Sequence, residues 1–214
     1  MITDVHVHLV GMREEDGCYV DPDLLSGLLF RYLMHSLGLS EVPEGRRSRA
    51  YREQLVAWVD ESDIEAVGLL ALDGIYDDGG RLDRERTKFV VSNDYCLEVA
   101  GDHDALVPIC SVHPGRSDAI EELERVVRRG AAAIKLLPNS QDIDYCDDRF
   151  RPFWQRMARL GVPLLTHTSF EHTIPPVDQS LGHPERLEPV LDEGVTVIAA
   201  HCGSSGVGHW TEHY

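Results

Sequence analysis

The feature that most constrains this chain is a rhythm. From residue 64 onward, short apolar runs ("IEAVGLLAL", "ALVPICSV", "AAAIKLL", "VPLLTH", "VTVIAAH") alternate with amphipathic stretches. Runs of that length, bounded by turn residues, read as buried strands. Between them, "SDAIEELERVVRRG" and "RFRPFWQRMARLG" carry apolar residues at helical spacing. Ser117 is expected to cap the first helix and Gly130 to end it, and Gly161 to close the second. "FVVSNDYCLEVAGDH" reads as a helix that Asn93-Asp94 begins or faces, and "PERLEPVLDEG" as one opening on Pro184. Strands joined by helices run parallel, with both sheet faces covered. The alternation predicts a parallel α/β sheet with strands near 2–9, 64–72, 106–112, 132–137, 162–167 and 195–201.

The amino-terminal part breaks the rhythm. After the first strand, "DPDLLSGLLFRYLMHSLGL" offers Asp21 as N-cap and Pro22 at the first helical position. An apolar stripe of Leu24, Leu25, Leu28, Leu29, Tyr32 and Leu33 follows. "EVPEGRRSR" reads as a polar connection, with its basic residues 45–49 in a solvated turn. A second helix is expected over about Ala50–Glu61, with Tyr51, Leu55, Val56 and Val59 on one side. Residues 11–50 thus form a helical insertion, expected to fold over the rim of the sheet. No stretch rich in Pro, Gly or Ser divides the chain, so residues 1–214 read as one domain.

Charge narrows the partners. With 37 acidic and 20 basic residues the formal charge is −17, which opposes phosphate backbones and anionic lipid. Nucleic acid and membrane are therefore not expected, and a small-molecule substrate is. Cys18, Cys96, Cys110, Cys146 and Cys202 are odd in number, scattered and without CxxC. Reduced thiols in a cytoplasmic protein are expected.

Polar residues gather where the predicted strands finish: His6-Val7-His8, His113-Pro114, Lys135, Thr166-His167-Thr168 and His201-Cys202. In parallel α/β folds the carboxyl ends of the strands share one rim, where chemistry is placed. His6 and His8 are two residues apart on a strand and share a face, so one cation can meet both. His167 ends another strand in the same manner and is the expected third ligand. Asp4 shares the face and is expected to support the ligands. The alternative for His6 and His8 is a hydrogen-bonded pair of core histidines. His113 either reaches substrate or is an ordinary loop histidine. His35, His103, His172, His183, His209 and His213 fall on helices or loops and are expected to be solvated. Cys202 is expected to pack outward against a helix.

"TDVHVH", "AIKLLP", "LLTHT" and "VIAAHCGSSG", in this order, resemble the amidohydrolase superfamily, and within it the amidohydrolase-2 branch of metal-dependent hydrolases and decarboxylases. The resemblance covers residues 2 to about 206. It implies a (β/α)8 TIM-type barrel, here incomplete, with about six parallel strands present and the last two β/α units missing. It implies His6, His8 and His167 as metal ligands. His201 would act near the metal or ligate a second one, and Lys135 would be a charged site residue or a carboxylated bridge. The cofactor implied is one divalent ion, zinc first, with a second ion left open. Relatives often carry His where Leu137 stands, so one polar group of the site is expected to be absent. The family also places an Asp at the end of an eighth strand, and no position for it follows the sixth strand here. The expectation is a truncated or partial barrel that turns over weakly as it stands.

The resemblance implies hydrolysis of an amide, ester or lactone, or decarboxylation of a small organic acid. Two rival readings stand beside it. One is an inactive barrel remnant that binds or assembles, self-associating through the open edges of its sheet. The other, weaker, is a doubly wound sheet enzyme, for which no Gly-rich phosphate loop follows the first strand.

Overall fold

The computed structural model describes residues 2–203, so His209 and His213 lie outside the described residues. Its centre is a six-stranded sheet of β1 (Thr3–His8), β3 (Ala66–Leu70), β5 (Leu106–Cys110), β6 (Ala133–Leu136), β7 (Leu164–His167) and β8 (Val197–Ala200). All neighbours are parallel, and the spatial order follows the chain order without a reversal. A doubly wound sheet reverses its order at a switch point; this one does not. The sheet curls into half of a TIM-type barrel, as the resemblance implied.

Alternation along the strands separates inside from outside. Leu70, Ile109, Ala133, Leu165 and Ala200, one from each of five strands, form a small cluster on the concave face. Gly68 shares that face, where a Cβ would come within 2.6 Å of the Ile109 side chain. The intervening residues Ile134, Leu136 and Leu164 point outward. They pack on Leu123 and Val126 of α5 (Ala119–Arg128), on Phe153, Trp154 and Met157 of α7 (Arg151–Leu160), and on Val190 of α8 (Glu188–Asp192). On the other flank, Val67 and Leu69 pack on Tyr51, Leu55 and Val59 of α3 (Glu44–Asp60) and on Tyr95, Cys96 and Val99 of α4 (Asn93–Ala100). Tyr51, Leu55 and Val59 recur every fourth residue, one stripe of a helix.

The insertion after β1 contains β2 (Tyr19–Val20), α1 (Pro22–Ser26) and α2 (Leu28–Ser36), followed by α3. Asp21 caps α1 as read from sequence, accepting from the Asp23 amide. Several boundaries differ from the sequence reading. Gly27 ends α1 in extended backbone, so the apolar stripe is cut in two and Leu28 and Tyr32 are exposed. α3 begins at Glu44 rather than near residue 50: the basic run 45–49 is helical, and buried Ser48 accepts from the Met12 amide. β4 (Phe89–Val90) pairs antiparallel with β2, which removes the first residues of the expected helix; Ser92 then caps α4. Ser117 does not cap α5: the helix opens one residue later, after Asp118, and the Ser117 amide donates to the Gly80 carbonyl. Gly161 closes α7 in the left-handed conformation, as expected. Residues 184–187 form a 3-10 turn before α8. The short α6 (Pro138–Gln141) follows β6 at the rim.

Candidate metal centre

β1 delivers the first two donors. Its register slips between Asp4 and Val7, and beyond the slip Val7 and Leu9 pack into the outer core. His6 and His8 therefore point to the concave side, with their Nε2 atoms 3.2 Å apart. The slip also turns Asp4 back onto its own strand, where its carboxylate accepts from the His6 amide at 2.9 Å. The Tyr51 hydroxyl on α3 donates to the His8 carbonyl at 2.7 Å and pins the strand end beneath the insertion.

Lys135 and His167 share the concave parity of Ala133 and Leu165, one step nearer the rim. Lys135 is almost fully buried, and burial pushes its ammonium down to about 7. Burial, then the charge of Lys135, holds His6 down at about 4 and His8 at about 3. His8 is exposed and lines the cavity described below. All these imidazoles are neutral at physiological pH, the form that binds metal. His167 and His201 are depressed too, first by burial.

His201 follows β8 in the left-handed conformation, as does Cys202. Cys202 is exposed rather than packed on a helix, because the two left-handed residues end the strand's alternation. Thr168 secures this turn, donating to the Ala200 carbonyl at 2.5 Å and accepting from the Gly203 amide at 3.1 Å. The His201 ring stands between the others, with centroids 5.2 Å from His6 and 4.8 Å from His167. The rings thus run His8, His6, His201, His167 along the rim. His167 turns its Nε2 to the Phe170 carbonyl at 3.2 Å. Among the described residues, no group of three or more His, Cys, Asp or Glu side chains is arranged to hold a metal ion. The expected triad is gathered on one rim without closing on one point.

The donor set nevertheless fits a divalent ion. Two nitrogens bound tetrahedrally at about 2.0–2.1 Å lie about 3.3 Å apart, which is the separation the His6–His8 pair already has. Strand geometry presets these two donors, whereas His167 must turn from the Phe170 carbonyl to join them.

A cavity of about 450 Å³ opens beside this pair. Leu24, Phe30, Met34 and Leu37 of the insertion roof it, Leu137 and Ile174 wall it, and His6, His8 and Glu171 form its polar end. Glu171 was not singled out from the sequence, because it lies in a polar loop after β7 with no motif around it. It is buried, and its Oε2 lies 3.5 Å from His167 Nδ1.

His113 is buried and lines a separate cavity. Its ring contacts the Gln141 carbonyl at 2.9 Å and accepts from the Gly115 amide, while its backbone amide donates to Asp73. Asp73 also receives Arg116 and the Tyr76 hydroxyl. His35 and His172 are exposed; His103 pairs with Asp60, and His183 accepts from the Glu185 amide.

A sequence model of the amidohydrolase family, in its second branch, matches residues 3–213. The chain belongs to the amidohydrolase family. Solved structures of similar fold include a 2,6-dihydroxybenzoate decarboxylase (18% identity, TM-score 0.54, covering 94% of this chain and 66% of that one). The 5-carboxyvanillate decarboxylase of Sphingomonas paucimobilis is similar as well (14% identity, TM-score 0.59, 92% and 66%). So is a Pseudomonas putida protein assigned as a 2-pyrone-4,6-dicarboxylic acid hydrolase (16% identity, TM-score 0.50, 94% and 57%). The chain thus spans about two thirds or less of the length of these structures. No curated protein matches it in sequence. Among the described residues, no helix is long and apolar enough to cross a membrane.

Proposed function

We propose that this amidohydrolase is a metal-dependent enzyme that hydrolyses or decarboxylates a small organic acid with an apolar, aromatic-sized body. The observation that carries the reading is the preset His6–His8 pair at the polar end of a largely apolar cavity. His6 and His8 would hold a divalent ion, zinc by donor type, and His167 would join once its ring turns. An ion held there supplies Lewis-acid polarisation of a carbonyl or carboxylate.

The remaining work falls to the chain's own groups. Phe30, Met34 and Leu137 exclude water from the substrate body and strengthen every charge interaction at the polar end. Lys135, held near neutrality, can keep or release a proton beside the histidines. His201, standing between His6 and His167, orients the reacting group. Among the described residues, no Arg and no Lys lines the cavity, so a substrate with one anionic head suits it better than a polycarboxylate.

The test is zinc uptake at pH 7.5, followed by turnover of hydroxybenzoates and of aromatic lactones and esters. One zinc per chain, lost in His8→Ala, with turnover of at least one class, is expected. Absence of zinc uptake at micromolar concentrations would overturn the reading.

A second reading is carried by the sheet edges. Among the described residues, β1 and β8 end the strand order, and Ile2 just before β1, Val5 on it and Ile198 on β8 are exposed. We propose that these edges support self-association of an assembly subunit. Light scattering that gives a monomer at tens of micromolar would remove it.

A further inference from the structure

We infer that the substrate of this site carries an apolar body of two rings rather than one, and that Phe30 and Met34 of the insertion select it by size. The inference names the substrate class of the metal-dependent reading given above and rests on that reading.

The cavity beside His6 and His8 has a volume of about 450 Å³. An apolar cavity of about 150 Å³ holds one benzene ring. The space here is about three times that, enough for two rings with the reacting head at the polar end. A one-ring body would leave a ring-sized part of it unfilled. Apolar walls there would face a void and forfeit their dispersion contacts, or hold water with too few polar partners.

The insertion, not the barrel, creates this extra room. The polar end belongs to β1 and the loop after β7, but Leu24 comes from α1 and Phe89 from β4. Phe30, Leu33, Met34 and Leu37 run along α2 and its C-cap at i, i+3, i+4 and i+7, one helical stripe, and all four line the cavity. Leu28, Leu29 and Tyr32, on the other side of α2, are exposed. Tyr51 adds only its ring, since its hydroxyl is spent on the His8 carbonyl. A second polar group on the body would therefore meet hydrocarbon, whereas a second ring meets Phe30, which suits offset or edge packing, and Met34, whose thioether adapts to it.

Binding to the metal-free chain is measured first, with 2-naphthol and phenol, two neutral probes that share a hydroxyl and differ by one fused ring. Burying the added ring carbons is expected to tighten binding by about 10–100-fold. Met34→Trp fills the room for the second ring and is expected to bring 2-naphthol to within about threefold of phenol. Since that variant also changes the packing of the insertion, the Met34 methyl resonance of the native chain gives an independent reading: it is expected to shift when 2-naphthol binds. Equal affinities for the two probes, a preference that survives in Met34→Trp, or a Met34 methyl that does not respond would each overturn the inference. In the zinc-loaded chain, kcat/KM for 1-hydroxy-2-naphthoate is expected to exceed that for 2-hydroxybenzoate by about tenfold or more, and the reverse order would overturn the inference. Turnover of neither acid, nor of any aromatic lactone or ester, would sink the metal-dependent reading instead, while the probe affinities still decide the size of the body.

Discussion

Replacing Lys135 by methionine should stabilise the protein at neutral pH and flatten the dependence of its stability on pH. Lys135 is 2% exposed, and burial lowers its pKa from 10.5 to about 7, opposed only by the charge of Glu171. Between those two values the unfolded chain binds a proton that the folded chain has given up. Stability therefore rises with pH across that window. At pH 7 the shift corresponds to about 4 kcal/mol of lost stability, and at pH 9 to about 2 kcal/mol. Relaxation and water penetration around a buried charge reduce the first figure to roughly 2–4 kcal/mol. Methionine has a similar reach, carries no charge and adapts to irregular space. Urea unfolding of the native chain and Lys135→Met at pH 7, 8 and 9 gives the comparison. The variant is expected to be more stable by about 2–4 kcal/mol at pH 7, with the gap narrowing by up to about 2 kcal/mol at pH 9. Cysteines and tyrosines titrate in both proteins and cancel in the difference. A variant that is less stable at pH 7, or a gap that does not change with pH, would refute the reasoning.

Two further outcomes follow from packing. Gly80 has φ +74°, and a Cβ would lie 2.4 Å from the Ser117 backbone nitrogen; Gly80→Ala is expected to cost about 2–4 kcal/mol in a denaturant titration. Gly38, with φ +70° but nothing within 4 Å, is the control, and its alanine variant should cost only about 1–2 kcal/mol. Trp154 is buried, and its indole N–H has no hydrogen-bond partner among the described residues, so Trp154→Phe removes an unsatisfied donor along with some volume. It should cost less than about 2 kcal/mol, against about 3–5 kcal/mol for Trp154→Ala; equal losses would mean that the indole nitrogen has a partner.

Much of this architecture could be read in the chain because it depends on local periods. The alternation of short apolar strands with helices fixed a parallel sheet, and the i, i+2 spacing of His6 and His8 fixed a shared face. Neither needs knowledge of a distant residue. Other features depend on residues far apart in sequence. The strand at Phe89–Val90 exists because Tyr19–Val20 lies beside it, and the backbone at Ser117 is tied to the Gly80 carbonyl while α5 opens after Asp118. His113 read equally as a substrate contact or a loop histidine, and only the fold holds its ring at the Gln141 carbonyl and its backbone amide at Asp73.

The sequence by itself determined which residue types reach the rim, since strand alternation and strand ends are local properties of the backbone. Only the tertiary structure decided how deep Lys135 lies, which way His167 turns, and that a loop carboxylate at Glu171 faces it. Burial, and the approach of groups dozens of residues apart, are products of packing, and a pattern of neighbours along the chain cannot encode them.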